Sequence, residues 1–266
     1  MHSADEFAGK VAVISGGTRG IGAGIARGFL QAGAEVLVCG RTAPAREGDL
    51  PLGRGRRAQF CQADVRDPDQ ASHLISTAMD MFGQVDVLIC NAGGSPQTAA
   101  ATASPRFHAK VIELNLVAPL QCAQAANLVM QAQDQGDSII MIGSVGGSRP
   151  SPGTAAYGAA KAGLQHLVTS LAIEWAPRVR LNIVVPGFVA TDAAASHYGD
   201  VRAVAAVAHS VPLQRMATPR DVAAACQFLA SPQASYISGA SLLVHGGGEP
   251  PAFLAVAQGS LYAPRK

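Results

Sequence analysis

The chain has 266 residues, of which 48% are hydrophobic and 14% charged, with 20 Lys and Arg against 18 Asp and Glu. That length suits one α/β domain around a single large core, and the apolar, evenly charged composition argues against disorder and against a polyanionic partner. The opening MHSADEFAGK carries two acids before a first apolar run too short for a secretory leader, and there is no run of about 18 uncharged apolar residues, so no membrane span is expected and the profile suits the cytoplasm.

From the amino terminus onward, short apolar runs alternate with helical patterns. VAVIS (Val11–Ser15) reads as a strand and passes through glycines into a helix near 21–32. A second strand, Glu35–Cys39, leads into RTAPAREGDLPLGRGRR (Arg41–Arg57), read as a surface loop with at most a short helix. Strands at Ala58–Gln62, Val85–Cys90, Ser138–Ile142, Val179–Val185 and Ser241–His245 follow, separated by helical stretches near 68–82, 108–133, 155–176 and 219–230. Such alternation implies right-handed βαβ crossovers, hence a single Rossmann-like, doubly wound domain over residues 1–266, with a seven-stranded parallel sheet and helices on both faces. Its nucleotide-binding half would run from about 8 to 145, a substrate lid from about 188 to 214, and a tail from 249 to 266. The five cysteines lack C-x-x-C spacing and read as reduced core residues, and the seven histidines lack any ligand spacing, so no metal is assigned. The local arginines at 54–57 come without a nucleic-acid-binding motif.

The chemistry gathers at strand ends. Gly16, Gly20 and Gly22 lie where the first strand hands over to a helix, a place where the backbone turns tightly and approaches a ligand with no Cβ between. The free N–H groups of the following helix favour a pyrophosphate there. Tyr157 and Lys161, four apart on a predicted helix, share one face, and a cation beside the phenol would lower its pKa and fit it for acid–base work. Ser144 ends the strand SIIMIGS, where open parallel sheets place ligands, and its hydroxyl could hold a carbonyl. Asn115 sits inside the apolar run VIELNLVAPL and must find partners, with Pro119 suggesting a bend close by.

These motifs, in this order, resemble those of the short-chain dehydrogenase/reductase family over nearly the whole chain. SGGTRGIG (Ser15–Gly22) is similar to the family's T-G-x3-G-x-G, with Ser for Thr, and brings in Thr18, Arg19 and Ile21 as cofactor neighbours. Asp64-Val65 matches the acid–apolar pair that holds the adenine, Asn91-Ala92-Gly93 the N-A-G after the fourth strand, and Pro186-Gly187 with Val189 and Thr191 the nicotinamide end. Ser144 with Y-x3-K at Tyr157 and Lys161 has the family spacing. The resemblance implies that Tyr157 is the general acid–base, that Lys161 lowers its pKa and holds the ribose, that Ser144 orients the carbonyl, and that Asn115 holds a water of a proton relay; a satisfied structural amide is the other reading of Asn115. Gly40 stands where NAD-preferring members carry Asp, and Arg41 follows it with Arg19 nearby, which implies NADP(H).

The implied activity is interconversion of a ketone and a secondary alcohol, in a homotetramer built on the Ala-rich faces of 115–132 and 159–172. A 3-oxoacyl-[acyl carrier protein] reductase and a non-catalytic NADP(H)-binding regulator are the alternatives. Val111 to Ser148 contains no Lys or Arg, and Thr191–Leu213 contains only Arg202, which favours a free apolar ketone over a substrate on an acidic carrier protein. Two features depart from the family: His245 replaces an Asp before the terminal glycines, and the tail Glu249–Lys266 runs on past the point where many members stop.

Overall fold

Strands that are apolar on both faces need cover on both sides. The computed structural model, which describes residues 5–134, 137–192, 198–251 and 253, meets that need. Its strands are β1 (Val11–Ser15), β2 (Glu35–Gly40), β3 (Leu52–Gly53), β4 (Arg56–Arg57), β5 (Gln59–Gln62), β6 (Val87–Cys90), β7 (Asp137–Ile142), β8 (Val179–Pro186) and β9 (Ser241–Val244). Seven of them form a parallel sheet in the order β5-β2-β1-β6-β7-β8-β9. The chain changes direction of travel between β1, which pairs β2 on one side, and β6 on the other, and this switch opens a crevice at the carboxyl ends of the strands.

The helices are α1 (Gly20–Gln31), α2 (Pro68–Phe82), α3 (Pro105–Ile112), α4 (Ala118–Met130), α5 (Ala155–Glu174), α6 (Val201–Ser210) and α7 (Pro219–Ala230). Most have a side-chain stop at their start. Asp67 caps α2 by accepting from Asp69 and Gln70, Ser104 caps α3, Asp200 caps α6, and Thr218 with Asp221 forms a capping box on α7. Alternate strand residues feed two cores. Val13, Leu88, Ile139 and Ile183 face α2, α4 and α5, whereas Ile14, Val38, Ile89 and Val184 face α1 and α7. Each such side chain, fully buried, contributes about 1.5–3 kcal/mol. Helices α1 and α7 pack so closely that a Cβ on Gly24 would stand 2.2 Å from Cβ of Pro219, which accounts for a glycine beyond the cofactor turn.

Several expectations need correction. The stretch Arg41–Arg57 holds a one-turn 3-10 helix at Glu47–Asp49 and the antiparallel hairpin β3–β4, turned at Arg54 and Gly55 with φ of 49° and 74°. The expected helix over 108–133 starts earlier, at Pro105, and is interrupted by one wide π-helical turn, Glu113–Val117. The expected strand at Val85 begins at Val87, because both backbone groups of Val85 are taken by the Gln133 amide, at 2.9 and 3.0 Å. The proposed lid contains helix α6; its residues 193–197, and residues 252 and 254–266 of the tail, lie outside the described residues. All five cysteines are free and buried, as expected, and burial pushes the Cys39 thiol up to about 12. No helix among the described residues is long and apolar enough to cross a membrane, and none of them form a cluster of three candidate metal ligands.

Candidate active site

The glycine turn joins β1 to α1. Gly16 has φ +63°, and a Cβ on it would stand 3.0 Å from Cα of Ala92; a Cβ on Gly22 would stand 2.2 Å from the Gly16 carbonyl oxygen. The turn is also tied to the next strand. Ser15 Oγ accepts from the backbone of Asn91 and Ala92 at 3.0 and 3.1 Å, while Asn91 Nδ2 donates to the carbonyls of Ser15 and Gly16 at 3.1 and 3.0 Å. The sequence assigned Ser15 no role, yet it is the pin between the two strand exits. Arg19, just before α1, makes no side-chain cap, and the first turn of α1 has no acid, so the positive end of the helix faces the crevice unopposed. Thr191 stands over this cradle, its Cγ2 3.8 Å from where a Gly20 Cβ would lie. A backbone cradle closed to side chains and open at a helix N-terminus fits the pyrophosphate of a dinucleotide.

At the far end of β2, a side chain on Gly40 would meet only ordinary contacts, Thr18 Oγ1 at 3.6 Å and the Thr42 carbonyl at 3.7 Å. Arg19 and Arg41 are both exposed there. Asp64 already has a partner. Its carboxylate is held on both oxygens by Arg66, with Nε at 2.9 and 3.2 Å and Nη2 closer still. The Arg66 hydrogen bond holds the Asp64 carboxyl below its usual range, with smaller help from the charge of Arg41. The adenine side of the crevice is therefore walled by an ion pair, and Arg66 is a residue the sequence reading passed over.

Ser144, Tyr157, Lys161 and Asn115 come together at the ends of β6 and β7. Ser144 caps the 3-10 turn Val145–Gly147 by accepting from the Gly146 N–H at 3.1 Å, which leaves its own hydrogen to give. Tyr157 lies in the first turn of α5 and Lys161 one turn on. Lys161 is 3% exposed; its Nζ donates to the Ile142 carbonyl at 2.8 Å and stands 5.7 Å from the Tyr157 ring centroid. Burial pulls the Lys161 ammonium down to about 8. Burial also raises the Tyr157 phenol, and the Ser144 hydrogen bond draws it only part of the way back. Burial is the larger influence on this phenol, with one Lys161 hydrogen given to Ile142 and the Nζ lying over the ring.

Asn115 is fully buried within the π-helical turn. Its Oδ1 accepts from the Gly94 N–H, and its Nδ2 donates to the Gly94 and Val111 carbonyls, all at 2.9 Å. Both amide hydrogens are used, so the side chain is a structural clamp on the Gly93–Gly94 loop, with one Oδ1 lone pair to spare. Taking the Val111 carbonyl from the helix, together with Pro119, which has no N–H to return to the Asn115 carbonyl, accounts for the wide turn. Gly93 is the floor between these groups: a Cβ there would stand 2.8 Å from Asn115 Oδ1 and 3.4 Å from Lys161 Nζ.

A family profile described as enoyl-(acyl carrier protein) reductase matches residues 16–249. The chain belongs to the short-chain dehydrogenase/reductase family. It is 36% identical over 250 residues to the cis-4-hydroxycyclohexanecarboxylate dehydrogenase of Sinomonas cyclohexanicum, covering 91% of this chain and 98% of that one. It is also 36% identical over 242 residues to a Vibrio cholerae 3-oxoacyl-[acyl-carrier-protein] reductase, covering 90% and 97%. The ligand-free aldohexose dehydrogenase of Thermoplasma acidophilum superposes with a TM-score of 0.84 at 29% identity, covering 92% and 96%.

In this short-chain dehydrogenase/reductase a further wall beside these groups is built from elements far apart in sequence. Pro186 ends β8, and Gly187 packs against His245, whose Cβ would be 2.9 Å from a Gly187 Cβ. Val189 is buried and bridges to Ala217. Phe188 meets Tyr198 edge-on, centroids 5.7 Å apart, and carries the Arg149 guanidinium over its ring at 5.7 Å. Arg149 in turn pairs with Glu249 at 2.9 Å. The sequence offered no local signal for this last group.

Proposed function

We propose that the protein is an NADP(H)-dependent oxidoreductase that interconverts a ketone and a secondary alcohol. The meeting of the Tyr157 and Ser144 side chains beside a buried Lys161 is the observation that carries the reading. Bound in the crevice, the nicotinamide supplies or takes the hydride. The glycine turn, Asn91 and Thr191 would hold the dinucleotide, and Arg19 and Arg41 beside Gly40 would hold a 2′-phosphate. Ser144 gives its hydrogen to the carbonyl oxygen, and Tyr157, kept neutral by burial, gives that oxygen its proton in the reductive direction. Lys161 has three donors and spends one on Ile142, so two remain for a ribose and for proton supply to the phenol.

The same reading covers substrate, assembly and location. The aromatic wall of Phe188 and Tyr198 suits an alicyclic or other apolar ketone; the Sinomonas relative is named for an alicyclic hydroxy carboxylate, which supports the ring and not the absence of charge. The four-residue Tyr157–Lys161 spacing argues against enoyl reduction, which uses a wider spacing in this family. Val117, Leu128 and Ile173 are 39%, 76% and 81% exposed on α5 and on the helical run ending in α4, which supports a homotetramer packed on those helices in the cytoplasm. A 3-oxoacyl-carrier reductase is the second reading, favoured by the Vibrio relative. Steady-state NADPH oxidation decides between them: higher kcat/KM for free alicyclic ketones than for a carrier-bound 3-oxoacyl chain is expected, and the reverse order would restore the second reading. Tyr157→Phe should lower kcat by about 10²-fold with cofactor affinity kept; near-parental turnover by that variant would remove Tyr157 from the role.

A further inference from the structure

Glu249 reaches the cleft by a device visible in the backbone. After β9, three consecutive glycines, Gly246, Gly247 and Gly248, take φ of 65°, 99° and 86°, a run closed to most side chains. The turn is packed as well as bent. A Cβ on Gly246 would stand 2.6 Å from Val211 Cγ1, one on Gly247 2.9 Å from Pro212 Cβ, and Leu213 donates its N–H to the Gly246 carbonyl at 3.1 Å. The chain leaving the sheet is thus laid against the segment that follows α6 and delivered to Arg149, in the loop after Ser144, where Glu249 closes a 2.9 Å ion pair.

That pair belongs to the substrate side of the catalytic phenol. Arg149 lies over Phe188, and Phe188 is edge-on to Tyr198. The ionisable groups that act on the half-buried Tyr198 phenol are Tyr157, Arg149 and Glu249, which puts all four in one neighbourhood. Both members of the pair are partly open to solvent, with side chains 39% and 34% exposed, so each can meet a ligand. An exposed pair of this kind has little stability to offer. Its effect is on charge: an arginine over an aromatic ring beside a carbonyl site would otherwise be a fork for a substrate carboxylate.

The geometry points to Arg149–Glu249 as the charge-selecting element of the substrate cleft: with Glu249 occupying the guanidinium the wall is electroneutral, and the cleft takes an uncharged ketone and turns away a keto acid of the same shape. The ketone's apolar body lies on Phe188 and Tyr198. This rests on the ketone reductase reading and adds to it which member of the class is accepted. Selection works by keeping the cation satisfied, so a carboxylate must displace Glu249 before it gains a partner.

The test uses two isosteres, 4-oxocyclohexanecarboxylate and 4-oxocyclohexanecarboxamide, with the full-length protein saturated in NADPH. The parent should prefer the amide, and Glu249→Gln should raise the carboxylate-to-amide ratio of kcat/KM about tenfold, through KM for the carboxylate. Arg149→Gln combined with Glu249→Gln should return the preference to the amide, since the freed fork is then gone. A parent that already prefers the carboxylate, or a Glu249→Gln ratio equal to the parent's, overturns the proposal. Calorimetric binding of cyclohexanecarboxylate separates the two readings. About tenfold tighter binding in Glu249→Gln without turnover of any ketone sustains the charge selection and sinks only the reductase assignment, whereas unchanged affinity sinks the charge selection whatever the turnover.

Discussion

Asp137 makes the stability of this protein depend on pH in an unusual direction. It opens β7 at the end of the sheet opposite the cofactor crevice and is 2% exposed. Its Oδ2 accepts from Gln133 Nε2 at 2.8 Å, but Oδ1 has no hydrogen-bond partner among the described residues. Neighbouring Asp86 keeps its own charge satisfied by Lys10 at 2.7 Å, Gln84 at 2.8 Å and the Val11 N–H at 2.8 Å, and so adds repulsion rather than a partner. Burial, and after it Asp86, push Asp137 up to about 7. Against an unfolded value of about 3.9 this is about 3 pKa units, a ceiling of about 4 kcal/mol. A folded pKa above the unfolded one favours the protonated, folded state. The contribution is therefore fully present below about pH 4 and is lost as pH rises through about 7. Between pH 5 and 8 the loss is about 2–3 kcal/mol, or about 5–10 °C in Tm for a chain of this size. Asp137→Asn keeps the shape and removes the titration, so melting curves of parent and variant at pH 5 and 8 isolate this residue from the histidines. The parent should lose more Tm than the variant across that interval; parallel profiles would refute the reasoning.

Two further substitutions probe the crevice itself. Gly40→Asp adds a Cβ with only ordinary contacts, the nearest at 3.6 Å, and a carboxylate next to Arg41, and should cost on the order of 1–3 kcal/mol of NADPH affinity relative to NADH, read by fluorescence titration; a parent that binds NADH more tightly than NADPH would contradict the cofactor assignment. Gly93→Ala drives a methyl to 2.8 Å from Asn115 Oδ1, which three hydrogen bonds prevent from yielding, so about 1–3 kcal/mol of stability and most of kcat should be lost together; parental melting and parental kcat would show that the loop is free to move.

What could be read from the sequence was local. The strand–glycine–helix turn and the Y-x3-K helix are fixed by residues within one or two turns of each other, and the parallel sheet follows from apolar runs that need burial on both faces. What could not be read depends on closure between distant segments. Arg149 and Glu249 meet only because three left-handed glycines follow the last strand. The π-helical turn arises from a side chain borrowing a carbonyl of its own helix, and no periodicity marks it. Arg66 takes both oxygens of Asp64 from two residues away, a contact that spacing permits but does not announce. Hairpin β3–β4 is too short for alternation to show, although its Arg54-Gly55 tip is what turns it.

At the Tyr157–Lys161 pair, burial and charge compete. A cation near a phenol lowers its pKa when both stay solvated enough to keep their charge. Here burial acts on both and in opposite senses, raising Tyr157 and bringing Lys161 down to about 8, so the ammonium becomes the stronger acid of the two. Lys161 Nζ keeps two hydrogens beyond the one tied to Ile142, so a hydroxyl bound between it and the phenol would carry a proton from one to the other. The Asn115–Gly94 clamp acts on the same place: Gly93 lies between Asn115 Oδ1 and Lys161 Nζ, where an added Cβ would stand 2.8 and 3.4 Å from them, so holding that loop fixed keeps a bare backbone surface beside the ammonium.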